Sequence, residues 1–219
     1  MKREIITTAD GSETLYMPDL DEHYHSVNGA IGESEHVFLK AGFDFCTKNP
    51  VTVFEAGFGT GLNALLTAIR SEKEKRLTTY ITVEKYPLTD EIISQLNYPL
   101  ILGDDSGRLF RLIHAAEWGN SVAISEFFEL RKINGDLLEG NFSASADIIY
   151  FDAFAHSKQP EVWSMEVLDR TCSLLGTGGI FVTYSARGEL KRSLKALGFE
   201  ITLLTGAAGK REMLRAIKK

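Results

Sequence analysis

The stretch VTVFEAGFGTGLNALL (residues 51–66) constrains the fold more than any other part of the 219-residue chain. Its first six residues predict a buried strand, and the run that begins at Leu62 has the apolar spacing of a helix. Between them lie Gly57, Gly59 and Gly61, which leave the backbone bare. A strand that leads through such a loop into a helix is typical of a parallel α/β sheet, where ligands bind at the carboxyl ends of the strands.

Strands and helices alternate along the rest of the chain. Further strands are predicted from TTYITVEK, FFELRKINGD, ADIIYFDAF, GGIFVTYS and FEITLLTG. Helices are predicted from SEHVFLKAGFDF behind a cap at Ser34, from GLNALLTAIRSEKE, from TDEIISQL, around residues 108–116, and from EVWSMEVLDRTCSLL and GELKRSLKALG. The last element, REMLRAIK, fits a strand or a helix. This order predicts a mainly parallel sheet with helices on both faces.

The first 30 residues do not continue this alternation. They are rich in turn-forming residues, Asp, Glu and His, and the pair Asp10-Gly11 predicts the turn of a small hairpin. We therefore expect an N-terminal appendage over residues 1–30 and one α/β domain over residues 31–219.

Charge and cysteine content bear on the class of protein. The formal charge of −6 is unevenly spread, because residues 187–219 hold nine Lys and Arg against three Glu. That segment could hold phosphate, or it could be an ordinary solvated surface. The sequence has neither a run of about 18 apolar residues that would span a membrane nor a His or Cys spacing typical of metal ligands. Two cysteines and no secretory pattern predict reduced thiols in a cytoplasmic protein.

The glycine spacing bears on the kind of nucleotide ligand. The loop follows the pattern G-x-G-x-G, whereas a dinucleotide fingerprint follows G-x-G-x-x-G. A bare backbone preceded by an acid suits S-adenosylmethionine (SAM), with Glu55 facing its amino group and Asn63 completing the cofactor site. A purely structural tight turn is the alternative interpretation.

Two acids follow later strands, at the places where a parallel sheet would bring them to one edge. Glu84 ends the strand TTYITVEK, and an acid there accepts hydrogen bonds from ribose hydroxyls in NAD and SAM proteins alike. Asp136 follows the next strand and is a further candidate for the nucleoside, with a helix cap as the alternative.

The stretch DIIYFDAFAHSKQPEVWS carries the strongest candidate for catalysis. A buried strand delivers Asp152 to the edge of the expected pocket, and Phe154 follows it closely. A strand-end carboxylate beside aromatic rings suits recognition of an amine, and ring faces attract a sulfonium or an ammonium group. We therefore predict Asp152 and Phe154 as the catalytic residues.

Three segments, FEAGFGTGLN, IIYFDAFAHSKQPEVW and GKREML, resemble the methyltransferase domain of the MnmC-like (DUF752) family of tRNA 5-methylaminomethyl-2-thiouridine biosynthesis. The segment SETLYMPDLDEHYHSVNGAIGESEHVFL is similar to the opening of that family, so the resemblance covers residues 10–216. The chain departs from the family at residues 206–209, which lack an aromatic and a basic residue, and at His25, where the family more often has Phe.

The resemblance implies a Rossmann-like class I fold with a mainly parallel seven-stranded sheet and SAM as methyl donor. It also implies methylation of the 5-aminomethyl group of a wobble uridine in tRNA. Class I methyltransferases often have an acid at the position of Asp136, where it binds the exocyclic amine of the adenine. The family's cofactor residues and strand-end acid correspond here to Glu55, Gly57, Gly59, Gly61, Glu84 and Asp152. No oxidoreductase segment is recognisable, so we expect an upstream enzyme to supply the aminomethyl group.

For the reaction, we expect Asp152 to accept an N–H bond from the neutral amine and to aim its lone pair, in a pocket bounded by Phe154 and Tyr24. The basic residues predicted to contact tRNA are Lys158, Lys210 and Arg211. Two other functions remain open. One is a class I methyltransferase that acts on a small amine or another polymer, and the other is an NAD-binding oxidoreductase, which the glycine spacing disfavours.

Overall fold

The computed structural model describes residues 2–103, 105–140, 142, 144–207 and 209–219; Ala208, in the segment that departs from the family, lies outside them. Its strands form two sheets. The smaller, antiparallel sheet consists of Glu4–Thr7 (β1), Glu13–Met17 (β2) and Glu22–His23 (β3). The larger sheet consists of Val51–Ala56 (β4), Thr78–Glu84 (β5), Ser121–Ala123 (β6), Phe128–Asn134 (β7), Ala146–Phe151 (β8), Leu175–Thr183 (β9), Phe199–Thr205 (β10) and Glu212–Lys218 (β11).

The helices fill the connections between these strands. A short helix, Ala30–Ser34 (α1), continues as a π-helix over Glu35–Phe43, and a 3₁₀ turn covers Pro160–Trp163. The remaining helices are Leu62–Glu74 (α2), Asp90–Ile93 (α3), Tyr98–Leu102 (α4), Ser106–Ala115 (α5), Met165–Cys172 (α6) and Gly188–Ala196 (α7). Within the described ranges, no helix combines the length and apolar character needed to cross a lipid bilayer.

Two local predictions are settled by these elements. The predicted cap at Ser34 is wrong, because the helix already begins at Ala30 and Ser34 is buried inside it. The hydroxyl of Ser12 accepts the N–H of Ala30 at 3.2 Å, so a residue distant in sequence caps the helix. The ambiguous segment REMLRAIK forms strand β11, which pairs antiparallel with β9 and β10.

The larger sheet has the strand order β10-β11-β9-β8-β4-β5-β7-β6. Strands β9, β8, β4, β5 and β7 run parallel, which confirms the predicted mainly parallel sheet of a class I methyltransferase fold. The sheet has eight strands, and the predicted seven omitted β6. This strand has three residues and pairs only with β7 at the sheet edge, so it is too short to give a periodic sequence pattern.

Strand β4 lies at the centre of this sheet, between β5 and β8. Its side chains are buried on both faces, with Val53 in one apolar cluster and Phe54 in the other. The chain passes from β4 to β5 on one side, while β8 lies on the other side. The carboxyl ends of β4 and β8 therefore flank the point where the strand order reverses, which is the usual ligand-binding position of such sheets.

Hydrogen bonds hold the smaller sheet against the domain that contains the larger sheet. Thr7 pairs with Glu13, which confirms the hairpin predicted at Asp10-Gly11. The Asn97 side chain accepts the N–H of Glu13 at 2.8 Å and donates to the Gly11 carbonyl at 2.9 Å. The guanidinium of Arg3 donates to the carbonyl of Tyr86, beyond β5, at 2.7 Å. The domain boundary predicted at residue 30 stays a prediction.

Candidate functional site

A cavity of about 480 Å³ opens at the carboxyl edge of the larger sheet. Its floor is formed by the residues that follow β4, β5, β7 and β8, including Gly57, Glu84, Asp136 and Asp152. The N-terminal segment supplies the opposite wall, from Arg3 through Val27. The two sheets therefore enclose one site between them.

The glycine loop, Gly57 to Gly61, is closely approached by the backbone of Asp152 and the ring of Tyr24. Gly57 has φ +94°, and a Cβ added to it would lie 2.9 Å from the carbonyl oxygen of Asp152. Gly59 has φ +52°, and a Cβ there would lie 3.2 Å from the ring of Tyr24. Gly61 has φ +72° and leads into α2. The loop therefore needs glycine both for its conformation and for these contacts.

The carboxylates of Glu84 and Asp136 lie at one end of the cavity, on neighbouring strands. Glu84 accepts the N–H of Gly59 at 3.0 Å and that of Tyr86 at 2.8 Å. Asp136 accepts from Lys85 Nζ at 2.6 Å and from the N–H of Leu138. Burial opposes ionisation of Asp136, but these hydrogen bonds outweigh it and lower its pKa. Two carboxylates thus face the place predicted for a nucleoside.

Asp152 lies at the middle of the cavity, directly after β8. Its backbone N–H donates to the carbonyl of Ala56 at 3.1 Å, and its Oδ2 accepts from Asn63 Nδ2 at 2.8 Å. Burial, and secondly the charge of Glu33, raise the pKa of Asp152 to about 7, while Asn63 and Lys210 oppose the rise. The residue is only half-buried, so its carboxyl is open to a ligand in the cavity.

Aromatic side chains line the cavity together with this carboxyl. The rings of Tyr24 and Phe154 meet edge to face with centroids 5.0 Å apart. The hydroxyl of Tyr184 donates to the carbonyl of Ala153 at 2.9 Å, which fixes that ring beside the same strand end. Such a wall offers π faces to a cation that approaches Asp152.

An ion pair between the buried Glu33 and the partly exposed Lys210, which the sequence did not single out, lies at the far end of the cavity. Lys210 Nζ lies 2.5 Å from Glu33 Oε1, and Glu33 Oε2 accepts the N–H of Ser26 at 2.7 Å. The Lys210 ammonium also lies 4.1 Å from the centroid of the Tyr184 ring. The only sequence signal for Glu33 is its place in the segment similar to the family's opening. Lys210, predicted to contact tRNA, reaches the cavity but is held there by Glu33.

Four of the predicted site residues are not brought to the cavity wall, and one of them is Gly61, which lies at the start of α2. Glu55 is fully buried beneath the loop, where its Oε2 accepts from Thr82 Oγ1 at 2.8 Å. Lys158 lies outside, 3.7 Å from a carboxylate oxygen of Asp21. Arg211 is exposed beyond the cavity. Their predicted roles at a ligand stay predictions. No cluster of His, Cys, Asp and Glu suited to a metal ion occurs among the residues that the structure describes.

The chain has relatives of known family. Residues 123–219 match a family described as S-adenosyl-L-methionine-dependent methyltransferase. The chain is 32% identical over 208 residues to the bifunctional protein MnmC of tRNA 5-methylaminomethyl-2-thiouridine biosynthesis from Campylobacter hominis, covering 92% of this chain and 31% of that protein. It is also 32% identical to MnmC from Cupriavidus metallidurans, covering 96% and 33%.

A solved structure agrees with these relatives. The crystal structure of MnmC2 from Aquifex aeolicus matches this chain with a TM-score of 0.80 and 27% identity, covering all of this chain and 70% of that one. The predicted resemblance, the class I fold and SAM as methyl donor are confirmed. The chain spans about a third of the length of the curated relatives it matches.

The ion pair at the far end gives a test of whether Lys210 is a structural residue. Lys210→Met leaves the buried Glu33 carboxylate with a single N–H donor, so the free energy of unfolding should fall by roughly 1–3 kcal/mol. Adding Glu33→Gln should recover part of that loss, and Arg211→Met should change stability little because Arg211 is exposed. Urea unfolding measures all of these variants. An unchanged stability of Lys210→Met would contradict the pairing.

Proposed function

We propose that this chain, a SAM-dependent methyltransferase similar to the methyltransferase part of MnmC proteins, methylates the 5-aminomethyl group of a wobble uridine in tRNA. The observation that carries the proposal is the half-buried carboxyl of Asp152, set between the glycine loop and an aromatic wall. The names of the relatives supply the substrate class, since a methylaminomethyl uridine is an aminomethyl uridine with one N-methyl group.

The residues of the cavity fit SAM. Where Gly57 and Gly59 lie, a Cβ would meet neighbouring atoms, so only bare backbone can face a ligand there. Glu84 and Asp136 would accept hydrogen bonds from ribose hydroxyls and from the adenine amine. A volume of about 480 Å³ is typical of small-molecule sites. When bound, SAM supplies an electrophilic methyl group on a positively charged sulfur.

Asp152 addresses the main obstacle to the reaction, which is the protonation of the amine. An alkylamine has a pKa of about 10, like lysine, so most of it is an ammonium ion in neutral water. A carboxylate with a pKa near 7 can accept an N–H from the amine and hold the departing proton. Asn63 keeps the carboxylate in place by donating to Oδ2, and Tyr24 and Phe154 limit the positions open to the amine.

The proposed substrate has two further consequences. Methyl transfer does not create an aminomethyl group, so another catalytic activity has to supply it before this step. Since the substrate is tRNA, we expect the protein in the cytoplasm. Contacts with phosphates would come from exposed basic residues such as Arg187 and Arg211, because Lys210 is engaged by Glu33.

The function is tested directly by supplying the substrate. Purified protein, SAM and tRNA that carries 5-aminomethyl-2-thiouridine should yield 5-methylaminomethyl-2-thiouridine, measured by mass spectrometry of the digested nucleosides. Transcript tRNA without the aminomethyl group is the control and should gain no methyl group. Methylation of the free aminomethyl nucleoside at an equal rate would favour the alternative of a small-amine methyltransferase, and failure to methylate any amine would contradict the proposal.

The role of Asp152 is tested by Asp152→Asn, which keeps the shape and removes the charge. Turnover should fall by roughly 10²–10⁴ while SAM affinity is retained. In the unsubstituted protein the rate should fall as the pH drops through about 7, because protonation removes the acceptor. Protonation of the amine itself lowers both rates below a pH of about 10, so the residual rate of Asp152→Asn should lack only the additional decrease near pH 7. The control is Asp169→Asn, on an exposed position of α6. A variant with full turnover would refute the assignment.

A further inference from the structure

A group of buried polar side chains lies beneath the glycine loop, and one of them, Asn63, also lines the cavity. Glu55 and Tyr80 are completely inaccessible to solvent, and Asn63 is 3% exposed. One oxygen of Glu55 accepts from Thr82 Oγ1 at 2.8 Å, and the amide nitrogen of Asn63 donates to Asp152 at 2.8 Å. Asn63 lies close enough to Glu55 to influence the pKa of its carboxyl, so it stands between Glu55 and the carboxyl of Asp152.

The hydrogen bonds of this group do not balance if Glu55 is ionised. Glu55 Oε1, Asn63 Oδ1 and the hydroxyl of Tyr80 are buried without a close partner among the described residues. Within this group of three side chains, an ionised Glu55 would leave two acceptors, its own Oε1 and Asn63 Oδ1, and one donor, the Tyr80 hydroxyl. Buried acceptors without donors are costly, so they are rare in folded proteins. One added proton on Glu55 turns an acceptor into a donor and removes the imbalance.

The electrostatic surroundings favour the same proton. Burial raises the pKa of Glu55 to about 8, and the nearby negative charge of Asp152 adds to the rise. The hydrogen bond from Thr82 and the nearby polar groups of Asn63 and Tyr80 oppose the rise in pKa without cancelling it. Two carboxyl groups on either side of one amide cannot both ionise easily, and the buried one keeps its proton.

We propose that Glu55 is a neutral carboxylic acid in the folded protein and is the positioning residue that holds Asn63, which in turn holds Asp152. The assignment of Asp152 rests on the proposed function; the protonation of Glu55 does not. This differs from the prediction that Glu55 faces the amino group of SAM. In this arrangement the neutral Glu55 adds no second negative charge beside Asp152. Its position fixes the side-chain amide of Asn63, which donates to Asp152.

The protonation state can be measured without any substrate. Because the pKa of Asp152 is about 7, Asp152 is itself partly protonated at neutral pH, so the infrared spectrum is recorded on Asp152→Asn. It should contain the C=O stretching band of a protonated carboxyl group, and adding Glu55→Gln should remove that band. Adding Glu84→Gln instead should leave the band in place, because both oxygens of Glu84 accept N–H bonds as an ionised carboxylate would. A spectrum that Glu55→Gln leaves unchanged would overturn the proposal.

The positioning role is measured by comparing SAM binding with turnover. Glu55→Ala should lower kcat by roughly 10² and leave the Kd for SAM, determined by calorimetry, nearly unchanged. Glu55→Gln is neutral and of the same shape, so it should restore most of the lost turnover. A large rise in the Kd for SAM in Glu55→Gln would show instead an ionised partner of the cofactor and overturn the proposal.

The two measurements separate this proposal from the proposed function. If the unsubstituted protein fails to methylate aminomethyl tRNA, the proposed function fails, while the infrared band and the SAM affinities still decide the state of Glu55. If Glu55→Ala does not fold, Glu55→Gln still tests the proposal through the loss of the infrared band and through the Kd for SAM.

Discussion

The site depends on the parallel pairing of β4 with β8 at the centre of the sheet. Past the last paired residues, the N–H of Asp152 still donates to the carbonyl of Ala56, and the backbone of Gly57 passes so close to Asp152 that a Cβ would not fit. This contact brings a bare loop that suits a nucleotide and a half-buried carboxyl into one place. A side chain at Gly57 would have to push the two strand ends apart.

The carboxyl edge then arranges the cavity's side chains in strand order. Asp136 follows β7 and Glu84 ends β5 at one end of the cavity, Asp152 follows β8 in the middle, and Tyr184 follows β9 at the far end. The N-terminal sheet covers the cavity from the opposite side, held by Asn97 and Arg3. The cavity therefore holds two acids at one end and the Glu33–Lys210 ion pair at the other. Between them lies Asp152, whose pKa is raised to about 7.

The sequence predicted the part of this arrangement that follows from local pattern. Apolar runs followed by acids or glycines mark strand ends, and parallel strands bring their carboxyl ends to one edge, so Glu84, Asp136 and Asp152 could be predicted together. Glu33 could not, because it reaches the site from a helix near the N-terminus through tertiary packing with Lys210. Glu55 was correctly placed at a strand end, but its burial depends on which face of β4 is covered, and the loop pattern does not contain that information.

The proposed reaction requires one crevice that places a methyl donor in front of Asp152. A crystal structure of the protein with S-adenosylhomocysteine, the product left by the methyl donor, shows whether this is so, because it retains the adenosine and the sulfur. We expect the ribose hydroxyls to bind Glu84, the adenine to lie near Asp136, and the sulfur to face the open space beside the Asp152 carboxyl. A ligand bound outside this cavity, or one with its sulfur directed away from Asp152, would contradict the proposed reaction.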